Sequence, residues 1–161
     1  MLKIQIAKED PSLMLKGLML EQLGIPSDLP GFKLTPDGSL SPSLTWAMRV
    51  LAMTTEELEW MKAQKAATHA ELEIQLPGEL VSAGLDTIVG VCEDVLHKYP
   101  TTEDEDTKRL EDLKAYPQES PMRAVIALRR GEKRILQATI RTAKRKLGEM
   151  TFPGQAKKAD L

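Results

Sequence analysis

The last third of this chain separates its charges along the sequence, and this separation constrains how the segment can fold. The stretch Thr101–Leu113 holds six acidic residues against two basic ones, and Pro121–Met150 holds nine basic residues against two acidic ones. Helix start signals precede both stretches, because Thr102 stands three residues before Glu105 and Ser120 is followed by a proline. Opposite charges on neighbouring helices attract each other or steer a charged partner. The sequence therefore predicts a capped acidic helix followed by a long basic helix.

The rest of the chain shows further helical signals. Capping residues or prolines precede runs of apolar residues at helical spacing. We expect helices to begin near Asp10–Pro11, Ser41–Pro42, Thr54 and Pro77, and the last basic helix to run to Leu147. The fold class predicted from this pattern is mostly α, a multi-helix bundle.

Three segments favour extended structure instead. Leu2–Ile6 alternates apolar and polar residues, and Gly31–Thr35 precedes a turn at Pro36–Gly38, so both indicate short strands near the N-terminus. Leu72–Leu76 also alternates, which favours a short strand or an extended linker. We expect one domain over residues 1–150 and a flexible C-terminal tail over residues 151–161.

Bulk composition narrows the class of protein. A chain of 161 residues with 42% hydrophobic and 29% charged residues is typical of a single globular domain. Its net charge of −2 and its six aromatic residues, none of them interleaved with the bases, argue against a nucleic-acid binder. We expect no membrane span, no signal or transit segment and, with one cysteine, no internal disulfide.

The residues that could carry chemistry are few. His97 follows Cys92 by five residues, which places the two badly for a shared metal or a nucleophile–base pair, and His69 is expected in a surface loop. The run Glu103–Asp106 lacks the glycine-containing loop of a calcium site, and the glycines show no phosphate-binding spacing. The sequence therefore predicts no catalytic, cofactor-binding or metal-binding residues. We expect Cys92 to be a buried structural residue.

The basic residues of the last helix are the candidates for binding. Arg129, Arg130, Lys133 and Arg134 form a stripe that we predict to be a partner-binding face. Two alternatives remain open, a solvated helix face and an intramolecular electrostatic surface. The methionines are expected to fill gaps in the core: Met14, Met19, Met48, Met53, Met61 and Met122.

Four motifs, in order along nearly the whole chain, carry a family resemblance. They are Leu2–Ile6 with Glu9–Pro11 and Glu21–Gly24, then Leu40–Leu44 with Arg49–Leu58, then Tyr99–Asp106, and finally Leu128–Leu136. Together they resemble the helical substrate-binding domain that follows the SET domain in Rubisco large-subunit lysine methyltransferases (LSMT) and related enzymes.

The resemblance implies a function that does not depend on reactive groups. In that family the SET domain transfers a methyl group from S-adenosylmethionine to a lysine, or to a histidine in actin-modifying relatives, and the helical domain helps to grip the protein substrate. The chain shows no counterpart of the SET domain's Asn-His cofactor motif or of its catalytic-tyrosine segment. The resemblance therefore implies a substrate-recognition domain with a protein partner, without cofactor and catalytically inert alone.

Two other interpretations are compatible with the same resemblance. The chain could be a scaffold subunit of a larger, plastid complex, or a fragment of a complete S-adenosylmethionine-dependent methyltransferase. The family precedent implies a chloroplast location, with the cytoplasm or the nucleus as alternatives.

Overall fold

The computed structural model describes residues 11–25, 31–64, 69–115 and 120–151, and these residues form a bundle of helices. The α-helices are α1 (Leu13–Gln22), α2 (Pro42–Ala52), α3 (Thr55–Ala63), α4 (His69–Gln75), α5 (Gly78–His97), α6 (Glu103–Asp112) and α7 (Pro121–Thr151), with a 3-10 turn at Leu113–Ala115. The predicted mostly α fold class is confirmed. Within the described ranges there is no strand, since the predicted strand at Gly31–Thr35 is reduced to an isolated β-bridge at Phe32. The predicted strand Leu2–Ile6 and the tail after Thr151 lie outside the described residues.

The segment around Leu72 was predicted wrongly. It forms helix α4 rather than a strand or linker, and His69, expected in a loop, is the first residue of that helix. A short run that places Leu72 and Leu76 four residues apart satisfies helical spacing as well as alternation. Leu76 is buried just beyond the helix, and Glu73 accepts a 2.6 Å hydrogen bond from the buried Arg49 guanidinium on α2. Tertiary contacts therefore support the helical alternative.

The capping signals are confirmed at three helix starts. The Ser41 hydroxyl accepts a hydrogen bond from the Leu44 amide at 3.2 Å, with proline at the first helical position. Thr54 forms the capping box with Glu57, whose carboxylate accepts from the Thr54 amide at 2.7 Å. The same box recurs at the start of α6. These caps satisfy amides that have no partner inside a helix, so the helix starts could be read from the sequence.

Helix α5 is the centre of the bundle. It packs against α2 on one side and α7 on the other, while α1 lies against α2 and α3, and α6 lies against α7. The buried core is formed by leucine, isoleucine, valine and methionine side chains from these helices, with Trp46 and Phe32. Four of the predicted core methionines are buried, but Met14 and Met122 are 81% and 64% exposed, so the prediction was wrong for these two. In the described part of the chain, no helix combines the length and the apolar content that crossing a membrane requires.

Two glycines allow backbones to approach closely. A Cβ added to Gly84 on α5 would lie 2.5 Å from Cγ and 3.2 Å from the backbone nitrogen of Arg49 on α2. Gly38 ends the predicted turn with φ of 73°, and a Cβ there would overlap the backbone carbonyl of Ala138 on α7. Side chains at these positions would push α5 from α2 and the turn from α7. Both glycines are therefore required by packing.

We expect Gly84→Ala to destabilise the fold by about 1–3 kcal/mol, because the added methyl group overpacks the contact between α2 and α5. Gly90→Ala is the matched control, since Gly90 lies on the same helix with nothing within 4 Å of its Cβ position. The better helix propensity of alanine should make this variant more stable by roughly 1 kcal/mol. Urea unfolding of both variants measures the difference, and equal stabilities would contradict the close approach.

Candidate functional site

The acidic and basic segments predicted from the sequence lie against each other. Glu103 accepts a hydrogen bond from Arg134 at 2.6 Å, and Leu113 at the other end of α6 accepts one from Arg123 at 3.3 Å through its carbonyl. Residue numbers therefore rise along α6 as they fall along α7, so the two helices run antiparallel. The charges of α7 are used, at least in part, inside the protein.

A buried ion pair lies at the centre of this contact. The Lys133 ammonium lies 2.5 Å from the Asp106 carboxylate, and each side chain is only 2% exposed. The same ammonium donates to the Thr101 hydroxyl at 2.9 Å and to the Thr102 carbonyl at 3.3 Å, which uses all three of its donors. The Thr101 hydroxyl donates to the second carboxylate oxygen of Asp106 at 2.7 Å. The network is closed, so neither buried charge is left without partners.

The network fixes the charge state of Asp106. Burial alone raises the pKa of this carboxyl, but the hydrogen bonds from Lys133 and Thr101 and the charges of Lys133 and Arg109 outweigh it. The net effect is a pKa below the ordinary value of 3.8. Asp106 is therefore ionised at neutral pH.

The four residues of the predicted partner-binding stripe have different surroundings. Lys133 is buried in the network with Asp106, where its charge is used inside the protein. Arg134 is 55% exposed but paired with Glu103. The charge of Arg129 acts on Tyr99, and Arg130 lines a groove. The intramolecular alternative thus accounts for Lys133 and Arg134, while a partner-binding role for Arg129 and Arg130 stays a prediction.

Tyr99 lies where α5 ends, beside Glu132 of α7. It follows the last turn of α5, and its hydroxyl donates to Glu132 at 2.8 Å. Burial, followed by this hydrogen bond and the charge of Glu132, raises the pKa of Tyr99 to about 12, against the opposing effect of Arg129. Glu93, one turn before the end of α5, pairs with Lys144 at 2.9 Å, so α5 and α7 also run antiparallel. The turns of α7 before Glu132 therefore extend past α5.

These first turns of α7 carry an exposed apolar stripe. We define it as Met122, Val125 and Leu128, which are 64%, 47% and 65% exposed. Their spacing of three residues places them along one side of the helix. Farther along α7, roughly the same side carries the buried residues Leu136 and Ile140. The stripe is exposed because α5, which covers that side in the second half of α7, has already ended.

A groove lies on the opposite side of the same turns. It has a volume of about 380 Å³ and is lined by Thr107, Leu110, Glu111, Lys114, Arg123, Ala127 and Arg130. Leu110 is buried. Three basic residues and one acidic residue line the groove: Lys114, Arg123 and Arg130, and Glu111. Of these residues, only Arg130 belonged to the predicted binding face. On each helix the groove residues follow i, i+4, i+7 spacing, so the sequence could have indicated that they share one face of that helix. The sequence could not indicate that the face of α6 meets the face of α7.

Groups with reactive potential are shielded or dispersed. Cys92 is buried as predicted, and burial together with the neighbouring Glu93 raises the pKa of its thiol to about 11, so the thiolate is scarce at neutral pH. In the described ranges, no three His, Cys, Asp or Glu side chains gather closely enough to hold a metal ion.

We expect Lys133→Met to destabilise the protein by about 3–5 kcal/mol, because it leaves the Asp106 carboxylate buried without its counter-ion. Arg134→Met, which breaks the neighbouring exposed pair, should cost less than about 1 kcal/mol. The double variant Lys133→Met, Asp106→Leu should recover part of the loss, since it leaves no buried charge unpaired. Urea unfolding measures all three, and equal losses for the two single lysine and arginine variants would contradict the burial.

We also expect the pair to confer acid sensitivity. Because the pKa of Asp106 is lowered in the fold, its contribution to stability is complete above the ordinary pKa of 3.8 and is lost as pH falls through the folded value. The unfolding free energy of the wild type should therefore fall relative to that of the double variant below about pH 4. Urea titrations from pH 6 to pH 3 measure it. Other carboxyls with lowered pKa, Glu105 and Asp37, are common to both proteins, and a constant difference would contradict the assignment.

Residues 7–136 match the family model described as Rubisco LSMT substrate-binding, which spans well over half of the chain and includes α6, the groove and the apolar stripe. No match to a SET domain is found. A comparison with curated proteins gives no significant match. The chain belongs to the Rubisco LSMT substrate-binding family.

Proposed function

We propose that this chain is a substrate-recognition domain, which binds a protein and holds it for a methyl-transferring centre that lies outside residues 1–161. Family membership supplies the substrate-binding role in general terms. The observation that carries the proposal is the apolar stripe Met122, Val125 and Leu128. Three large apolar side chains on adjacent turns, each about half exposed or more, are typical of a surface that a protein partner covers.

The geometry of α7 supports this placement. The helix of 31 residues is about 46 Å long, whereas the 20 residues of α5 span about 30 Å, so the antiparallel neighbour leaves the first turns of α7 uncovered on one side. These turns are held in place by α6 through the Lys133–Asp106 pair. The stripe is thus presented on a fixed helix, which lowers the entropy lost when a partner binds.

The same proposal includes the absence of catalysis by the chain alone. The inertness of Cys92 and the use of Lys133 and Arg134 in internal ion pairs support a binding role rather than a reactive site. The pairing of these two bases leaves fewer free cations on α7 for a phosphate backbone, which supports a protein partner over a nucleic acid.

We expect Leu128→Asp to weaken partner binding by about tenfold or more, because a carboxylate in the stripe must be desolvated when the partner covers it. The partner is captured with the tagged chain, identified by mass spectrometry and purified, and its affinity is measured by calorimetry. Met14→Asp is the matched control, since it places the same charge at an exposed apolar residue of α1. This control should change the affinity by less than about twofold.

Three outcomes would contradict the proposal in different ways. Equal losses for Leu128→Asp and Met14→Asp would remove the binding site from α7. Transfer of labelled methyl groups from S-adenosylmethionine to the partner by the isolated chain would show that it is an enzyme. A partner that stays unmethylated in cells and co-purifies in a fixed ratio would favour a scaffold subunit of a larger complex.

A further inference from the structure

We propose that the groove between α6 and α7 binds an acidic peptide segment of a protein partner, as a contact separate from the apolar stripe. The inference rests on the proposed function only in that the chain binds a protein. The groove is formed by Thr107, Leu110 and Glu111 of α6, Lys114 of the 3-10 turn, and Arg123, Ala127 and Arg130 of α7. Its volume of about 380 Å³ lies at the lower end of the range of ligand pockets, which suits a short segment rather than a whole helix.

The basic side chains that line the groove outnumber the acidic ones. Lys114, Arg123 and Arg130 surround it, against the single carboxylate of Glu111. Among the described residues none of these three bases lies within 4.0 Å of a carboxylate, whereas Lys133, Arg134, Lys144 and Arg145 on the same helix all do. Arg123 donates one hydrogen bond to the Leu113 carbonyl and has further donors left. The groove therefore offers positive charge that an incoming anion can use.

The surroundings favour a peptide carboxylate over a nucleic-acid phosphate. Buried Leu110 and the side chain of Ala127 give the groove apolar wall, against which a small apolar side chain can pack. Outside the groove, the surface of α6 carries Asp104, Glu105 and Asp112, which would repel an extended polyanion passing over the helix. No aromatic residue lines the groove, so bases have nothing to stack on. A segment that alternates carboxylates with apolar residues matches both features, and guanidinium groups pair well with carboxylates.

The test uses a defined probe, so that it does not depend on knowing the natural partner. The probe is a fluorescein-labelled hexapeptide of alternating aspartate and leucine, and the control peptide replaces each aspartate with asparagine. Fluorescence anisotropy measures binding to the whole chain at low salt and at 0.5 M NaCl. A labelled oligothymidylate of similar charge serves as the nucleic-acid arm.

We expect the aspartate peptide to bind at least about tenfold more tightly than the asparagine peptide, with the difference reduced at high salt. The variant Lys114→Glu, Arg130→Glu should abolish this preference. The matched control Arg141→Glu, Lys146→Glu places the same charges at exposed positions of α7 outside the groove, and it should keep the preference to within about twofold.

The proposal is overturned by equal affinities for the two peptides, by equal losses in the two double variants, or by tighter binding of oligothymidylate than of the aspartate peptide. Circular dichroism confirms that each variant keeps its helical content. The outcome does not depend on the apolar stripe, because none of the residues that line the groove belongs to it. If Leu128→Asp abolishes binding of the natural partner and the peptide test fails, the groove is rejected as a binding site and the proposed function is retained.

Discussion

The ion pair between Lys133 and Asp106 connects the acidic and basic segments of this protein and determines what the last helix can offer to a partner. Taking two charges out of water costs several kcal/mol for each ion, and the attraction between them offsets this cost only when the remaining donors and acceptors are also satisfied. Thr101 and the Thr102 carbonyl satisfy them in this protein. Helix α6 is thereby fixed against the first half of α7, and both the groove and the apolar stripe depend on that placement.

The unequal lengths of the helices give α7 two different exposed sides. Its second half is covered by α5 and contributes Leu136 and Ile140 to the core. Its first turns lie against α6 and the 3-10 turn, with the apolar stripe on one side and the cationic groove on the other. Surfaces that are rigid before a partner arrives lose little conformational entropy when they are covered.

The candidate site was only partly predictable from charge patterning. The excess of basic residues on α7 was visible in the sequence, and Arg130 was among the residues selected. The same pattern also selected Lys133, which is buried, because a count of charges along one helix does not record where the opposite charges of another helix will lie. Met122 was assigned to the core for a similar reason. Its helical spacing is that of a core residue, and only the end of α5 near Tyr99 leaves it exposed.

Local signals in the sequence determined the helix starts at Ser41, Thr54 and Thr102, since a capping side chain satisfies amides within a few residues of itself. They also determined the mostly helical class and the separation of charge. The tertiary structure alone decided which charges became internal, which apolar residues stayed exposed, and that Leu72 belongs to a helix. Those outcomes depend on contacts between residues far apart in the chain, such as Arg49 with Glu73 and Lys133 with Asp106, which periodicity within one segment does not encode.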